Sequence, residues 1–224
     1  MVSLEYLTSC GFNIEDYIKE FVETIGLLDG KALTITPNNG DYLVVYIMDE
    51  KTTYKFSLYS VICETESGKK EWFDTAWQKY LFAKINRSFI NNATKFKQNY
   101  ISGLLDHLLA EFNNLSLEEV KADNNPKLNH EWVLECLDKE LVLNSLFLNN
   151  SELHSSVMRR QKQFGDAITS KVNELLAGGE RTIDDNGAEV FCFSKEQYQI
   201  YNFLIELNKE YDFTFRYQIF KINK

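Results

Sequence analysis

A chain of 224 residues, 44% hydrophobic and 25% charged, can bury a sizeable core as one large domain or two small ones. Its 24 Lys and Arg stand against 33 Asp and Glu, a formal charge of −9 that disfavours both nonspecific nucleic-acid binding and an anionic membrane surface. No apolar run approaches the ~20 residues of a membrane span, and the first residues lack the basic and apolar regions of a secretory signal.

In chain order, Asn13 reads as an N-cap for an amphipathic helix carrying Ile14, Tyr17, Ile18, Phe21, Val22 and Ile25, closed by Gly30. A three-stranded meander is expected next. Its strands are 32–36, the apolar run 42–48, and an alternating stretch from Tyr54 to about Cys63. Pro37-Asn38-Asn39-Gly40 supplies a turn, and 64–70 reads as a polar loop.

The middle is helical. Trp72, Phe73, Ala76, Trp77, Tyr80, Leu81 and Ile85 form one stripe, with a break expected at Asn91-Asn92. Ile101, Leu104, Leu105, Leu108 and Phe112 form another, ending at Asn113-Asn114. Ser116 with Glu119 has the spacing of a capping box. Residues 122–127, ADNNPK, are the most linker-like segment and set the expected boundary between a unit 1–121 and a unit 122–224. A helix over about 131–148 follows.

Then comes the longest amphipathic stretch, Ser151 to Ala177. Its stripe is Leu153, Val157, Phe164, Ile168, Val172 and Leu175, with Ser151 as cap and Gly178-Gly179 as stop. Asn186-Gly187 predicts a type I′ hairpin between 181–183 and 188–193. Ser194 with Gln197 opens a helix through Tyr198, Tyr201, Leu204 and Ile205. The alternation of Phe213, Phe215, Tyr217 and Ile219 predicts a final strand, paired with the hairpin or with the N-terminal meander. The expected fold is α+β and mostly helical: a helical bundle flanked by an N-terminal antiparallel meander and a C-terminal hairpin–helix–strand unit.

Reactive side chains do not gather. Ser67-Gly68-Lys69-Lys70 lacks the upstream glycine and the following hydroxyl of a phosphate-binding loop. His107, His130 and His154 are far apart, and His107 with Glu111 at i, i+4 would be half a metal site at most. The Asp184–Glu189 fragment is too short for a calcium loop. Cys10, Cys63, Cys136 and Cys192 contain no C-x-x-C pair and read as reduced thiols. No nucleophile elbow is present. No cofactor, metal or catalytic residue is therefore assigned. The one basic concentration, Arg159, Arg160 and Lys162 on the long helix with Lys171 two to three turns on, is the candidate partner-binding group, weighed against a solvated face or ion pairs with acidic neighbouring helices.

Aromatics are abundant, with 16 Phe, 12 Tyr and 3 Trp, and such rings are enriched at interfaces. Asn, Lys, Ile, Tyr and Phe are the residues that A/T-rich codons favour, which points to an A/T-rich genome such as that of a phage, a mobile element or a low-GC bacterium and bears on source, not on mechanism. The leading expectation is a non-enzymatic structural or assembly protein, an oligomeric subunit such as a phage virion connector or ring component, cytoplasmic or in the virion. One alternative is a small acidic regulator or inhibitor of a single protein partner. Another is an enzyme whose site is assembled from residues distant in sequence.

Overall fold

The computed structural model describes residues 4–28, 32–37, 43–47, 52–65, 70–87, 93–121 and 129–222. The described residues belong to the α+β class and are mostly helical. They divide into two compact units, Met1–Leu104 and Leu105–Lys224. The linker-like segment 122–127 lies outside the described residues, as do Gly30, the turn at 38–40, Ser67-Gly68-Lys69 and Asn91-Asn92.

In unit 1, α1 (Leu4–Ser9) leads to α2 (Ile14–Thr24), whose first turn is capped by Asn13 accepting from the Asp16 amide. That cap is the one the sequence predicts. The helix ends sooner than expected, at Ile25, with Gly26 taking φ 74°, a left-handed conformation open to glycine. Five strands follow: β1 (Leu33–Pro37), β2 (Leu43–Ile47), β3 (Thr52–Phe56), β4 (Val61–Thr65) and β5 (Lys70–Trp72). They form one antiparallel meander in chain order, and β2 lies between β1 and β3.

The meander thus corrects the expected count of three. The run from Tyr54 to Cys63 folds back on itself, pairing Phe56 with Val61 and Tyr54 with Cys63. The turn between them is closed by the Ser57 amide donating to the Ser60 carbonyl (2.9 Å), while the Ser60 amide donates to Ser57 Oγ (3.0 Å). Trp72 belongs to β5 and not to the helix that follows.

That helix, α3 (Asp74–Arg87), holds the turn in place. Asp74 Oδ1 accepts from the Val61 amide at 2.7 Å, Trp77 Nε1 donates to the Ser57 carbonyl at 2.9 Å, and Gln78 Nε2 donates to the Tyr59 carbonyl at 2.7 Å. Beneath the turn, Phe21 of α2, Phe56 of β3 and Trp77 of α3 meet edge to face, with centroids 5.1–6.1 Å apart. These are the favoured geometries of buried rings.

Helix α4 (Ala93–Asn114) runs through the division between the units. Within unit 1, Tyr59 Oη occupies the space that a β-carbon at Gly103 would need. Gly103→Ala is therefore expected to destabilise unit 1 by about 1–3 kcal/mol through overpacking. Adding Tyr59→Phe, which removes the clashing oxygen, should recover part of the loss. Thermal unfolding of the two single variants and the double variant measures both effects.

Unit 2 contains the second half of α4, α5 (Leu117–Lys121), α6 (His130–Phe147), α7 (Asn150–Ala177), β6 (Glu180–Ile183), β7 (Glu189–Cys192), α8 (Lys195–Glu210) and α9 (Phe213–Ile222). The capping boxes of Ser116 with Glu119 and Ser194 with Gln197 form as predicted. The long helix α7 begins two residues earlier than expected. Asn149 caps it, with Glu152 reaching back to the Asn149 amide, and Gly178 stops it. Leu153, Val157, Phe164, Ile168 and Leu175 are buried, and Val172 is half-buried.

The hairpin β6–β7 forms, but with a three-residue loop in place of a type I′ turn. The Asp184 amide donates to the Ala188 carbonyl, the Gly187 amide donates to the Asp184 carbonyl, and Gly187 takes φ 78°.

The expected final strand is the helix α9. Its first turn is secured by Asp212 Oδ1, which accepts from the Thr214 amide (3.1 Å) and the Phe215 amide (3.2 Å). Phe213 and Tyr217, one turn apart, are buried, whereas Phe215 and Ile219 are exposed. The hairpin accordingly stays two-stranded, without a third strand from the C-terminal segment.

Candidate functional site

The basic cluster on α7 is not one surface. Successive residues of a helix point about 100° apart, so Arg159 and Lys162 are exposed while Arg160 falls into the buried stripe between Val157 and Phe164. Arg160 is 3% exposed and grips Glu140 of α6 with two hydrogen bonds, Nε to Oε2 at 3.0 Å and Nη2 to Oε1 at 2.6 Å. Its Nη1 donates to Asp106 of α4 at 2.5 Å and to Gln163 at 3.0 Å. Burial works against the charge, but the Glu140 and Asp106 carboxylates outweigh it and hold the guanidinium pKa above its ordinary value. For Arg160, the arrangement is the ion pair with acidic neighbouring helices.

A second cation enters the same stripe. Lys171 is buried, donates to the Leu115 carbonyl at 2.5 Å, and lies 3.2 Å from Glu174 Oε2. That carbonyl belongs to the short link between α4 and α5. Both cations thus pin α7 to its neighbours from inside the core.

The histidines stay apart, and no group of three or more His, Cys, Asp or Glu among the described residues could hold a metal. His107 is pushed below its usual pKa by burial, partly countered by Glu111. His130, the first residue of α6, lies against the rings of Phe203 and Tyr211, and burial lowers its pKa too, partly countered by Glu210. His154 is exposed beside Tyr217. Of the cysteines, Cys63 and Cys136 are buried, Cys10 is half-buried and Cys192 is exposed, and no disulfide joins them.

The feature that sequence reading misses is a groove in unit 2 of about 520 Å³ between α6 and α9. Leu141 and Val142 form one wall; Phe215, Ile219 and Phe220 form the other. Val142, Phe215 (59%) and Ile219 are exposed, and Leu146 (62%) continues the Val142 row one turn on. Asp138 and Arg216 form an ion pair across the groove, and Lys209, Glu210 and Asp212 complete the rim. The signal was present in the spacing of Phe215 and Ile219, which on a helix share one face.

Comparison with protein-family models, curated proteins and solved structures gives no match. The class that the fold defines is α+β, with a five-stranded antiparallel meander in one unit and a helical bundle with a hairpin in the other. Among the described residues, no helix is long and apolar enough to cross a membrane.

Proposed function

We propose that this chain works by contact with proteins and not by chemistry, as an oligomeric structural or assembly subunit such as a phage virion connector or ring component. One observation carries the reading. Among the described side chains, eleven large apolar residues are exposed, and ten of them lie in unit 2, Tyr6 being the exception. Exposed apolar side chains that gather in one place, as Val142, Phe215 and Ile219 do at the α6–α9 groove, mark interaction sites. The hairpin adds to it. All eight strand residues of β6 and β7 are exposed, Ile183, Val190 and Phe191 among them, and a two-stranded hairpin is open to pairing at its outer edges.

Size-exclusion chromatography with light scattering tests the reading. The expected mass is a multiple of 26.2 kDa, reduced by Ile183→Lys or Phe191→Lys. A monomer at every concentration, capturing no partner in a pull-down, overturns it. A second reading, an acidic regulator of a single partner, draws on the acidic residues around the α6–α9 groove. It predicts association that weakens steeply with salt, unlike an apolar contact between copies.

A further inference from the structure

We infer that the α6–α9 groove is a docking site for a basic amphipathic helix of another protein. The inference rests on the reading that this chain acts through protein contacts, and adds to it the place and the partner's chemistry.

The groove has the shape for a helix. Its α6 side is Asp138, Leu141 and Val142, and the exposed Leu146, at i+8 from Asp138, carries the Val142 row one turn beyond it. Eight residues of helix are about 12 Å long, close to the ~10.5 Å between anchors i and i+7 on a docked helix. Phe215 and Ile219, one turn apart on α9, face the same opening from the other side. Both helices are held firmly beneath it. α6 is tied to α7 through the buried Glu140–Arg160 pair, and α9 through Thr214, which bonds Gln161. The floor is therefore preformed, which lowers the ordering cost of binding.

The charge at the rim selects the partner. Both rim cations are already engaged by carboxylates, Arg216 with Asp138 and Lys209 with Glu206. The excess charge is that of Glu210 and of Asp212, which also caps α9; further along α6, Glu131 is exposed, while Glu135 is paired with Lys139. A second copy of this chain would bring the same acidic rim and another −9 charge to the contact. A helix with leucine-like anchors and flanking Lys or Arg meets the apolar floor and the acidic rim together.

The probe is a synthetic amphipathic helix of leucine and lysine about four turns long, labelled and titrated with the full chain by fluorescence anisotropy. Saturable binding is expected. A peptide of the same composition without helical periodicity should bind at least tenfold more weakly, and so should a leucine–glutamate helix. Phe215→Ser with Ile219→Ser, or Val142→Ser with Leu146→Ser, should weaken binding of the lysine helix at least tenfold. These side chains are already exposed, so circular dichroism should be unchanged. Equal binding of the scrambled peptide, or full binding to both double variants, overturns the inference and leaves assembly through the hairpin standing. Loss of self-association in the serine variants, with no peptide binding to the parent chain, assigns the groove to a second copy and overturns it as well.

Discussion

Arg160→Ala is expected to cost about 3–5 kcal/mol of unfolding free energy, the range for breaking a buried ion pair by removing one partner. Arg159→Ala and Lys162→Ala, within two residues of it, should each stay within about 0.5 kcal/mol. The contrast follows from burial. Arg160 and Glu140 are both 3% exposed, and two hydrogen bonds join them. Without the guanidinium, the Glu140 carboxylate is left in the core with its main partner gone. It must then bind a proton or draw in water, and either is costly. The Asp106 arm adds less, because Asp106 is 58% exposed and solvent already screens it. Removing both charges of the buried pair, as in Arg160→Met with Glu140→Leu, should recover most of the loss, since the desolvation cost disappears with the pair. Urea unfolding followed by far-UV circular dichroism measures all four variants. A loss for Arg160→Ala no larger than for Arg159→Ala would mean that the pair does not form.

The same residue shows what the sequence makes legible. Periodicity gives the stripe of α7, because apolar residues recur at its spacing and the burial follows. The stripe has two gaps, and Arg160 and Lys171 fill them at helical spacing with Val157, Phe164, Ile168 and Leu175. Grouping Arg159, Arg160 and Lys162 by adjacency conceals this, since adjacency on a helix is not proximity. The caps at Asn13, Ser116 and Ser194 are legible because each is a local bond between neighbours. Two elements depend on partners distant in sequence, and there local reading fails. The Ser57–Ser60 turn has no glycine or proline to announce it, and α3 fixes it from Asp74, Trp77 and Gln78. In α9, aromatic and β-branched residues favour a strand by propensity. Docking on α7 overrides that preference, through Thr214 with Gln161 and the ring of Tyr217 beside His154. The alternation that suggests one buried face of a strand is split between two helix faces, Phe213 and Tyr217 inward, Phe215 and Ile219 outward. The groove could not be seen from the sequence because it exists only once that segment is helical.

In unit 1 the corresponding pinning element is Trp77, and Trp77→Ala is expected to cost about 3–5 kcal/mol, the range for emptying a fully buried aromatic site. Two contributions combine. The indole fills the space between Phe21 and Phe56, and its Nε1 closes the turn by donating to the Ser57 carbonyl at 2.9 Å. Trp77→Phe separates them. It keeps a ring in the cluster but loses the donor, so beyond the smaller ring's packing loss it should cost about 1 kcal/mol for the half-buried Ser57 carbonyl left without it. If the turn is held by α3 as the bonds to Val61, Ser57 and Tyr59 indicate, the loss should not be spread evenly. Hydrogen exchange in Trp77→Phe should rise first at the amides of Thr52–Phe56 and Val61–Thr65, which pair across that turn, with the β6–β7 hairpin as internal reference. Exchange that rises at the hairpin as much as at β3 and β4 would mean that Trp77 acts on the chain as a whole and not on this turn. Unchanged exchange at β3 and β4, with the full stability loss, would place the indole's contribution in ring packing alone.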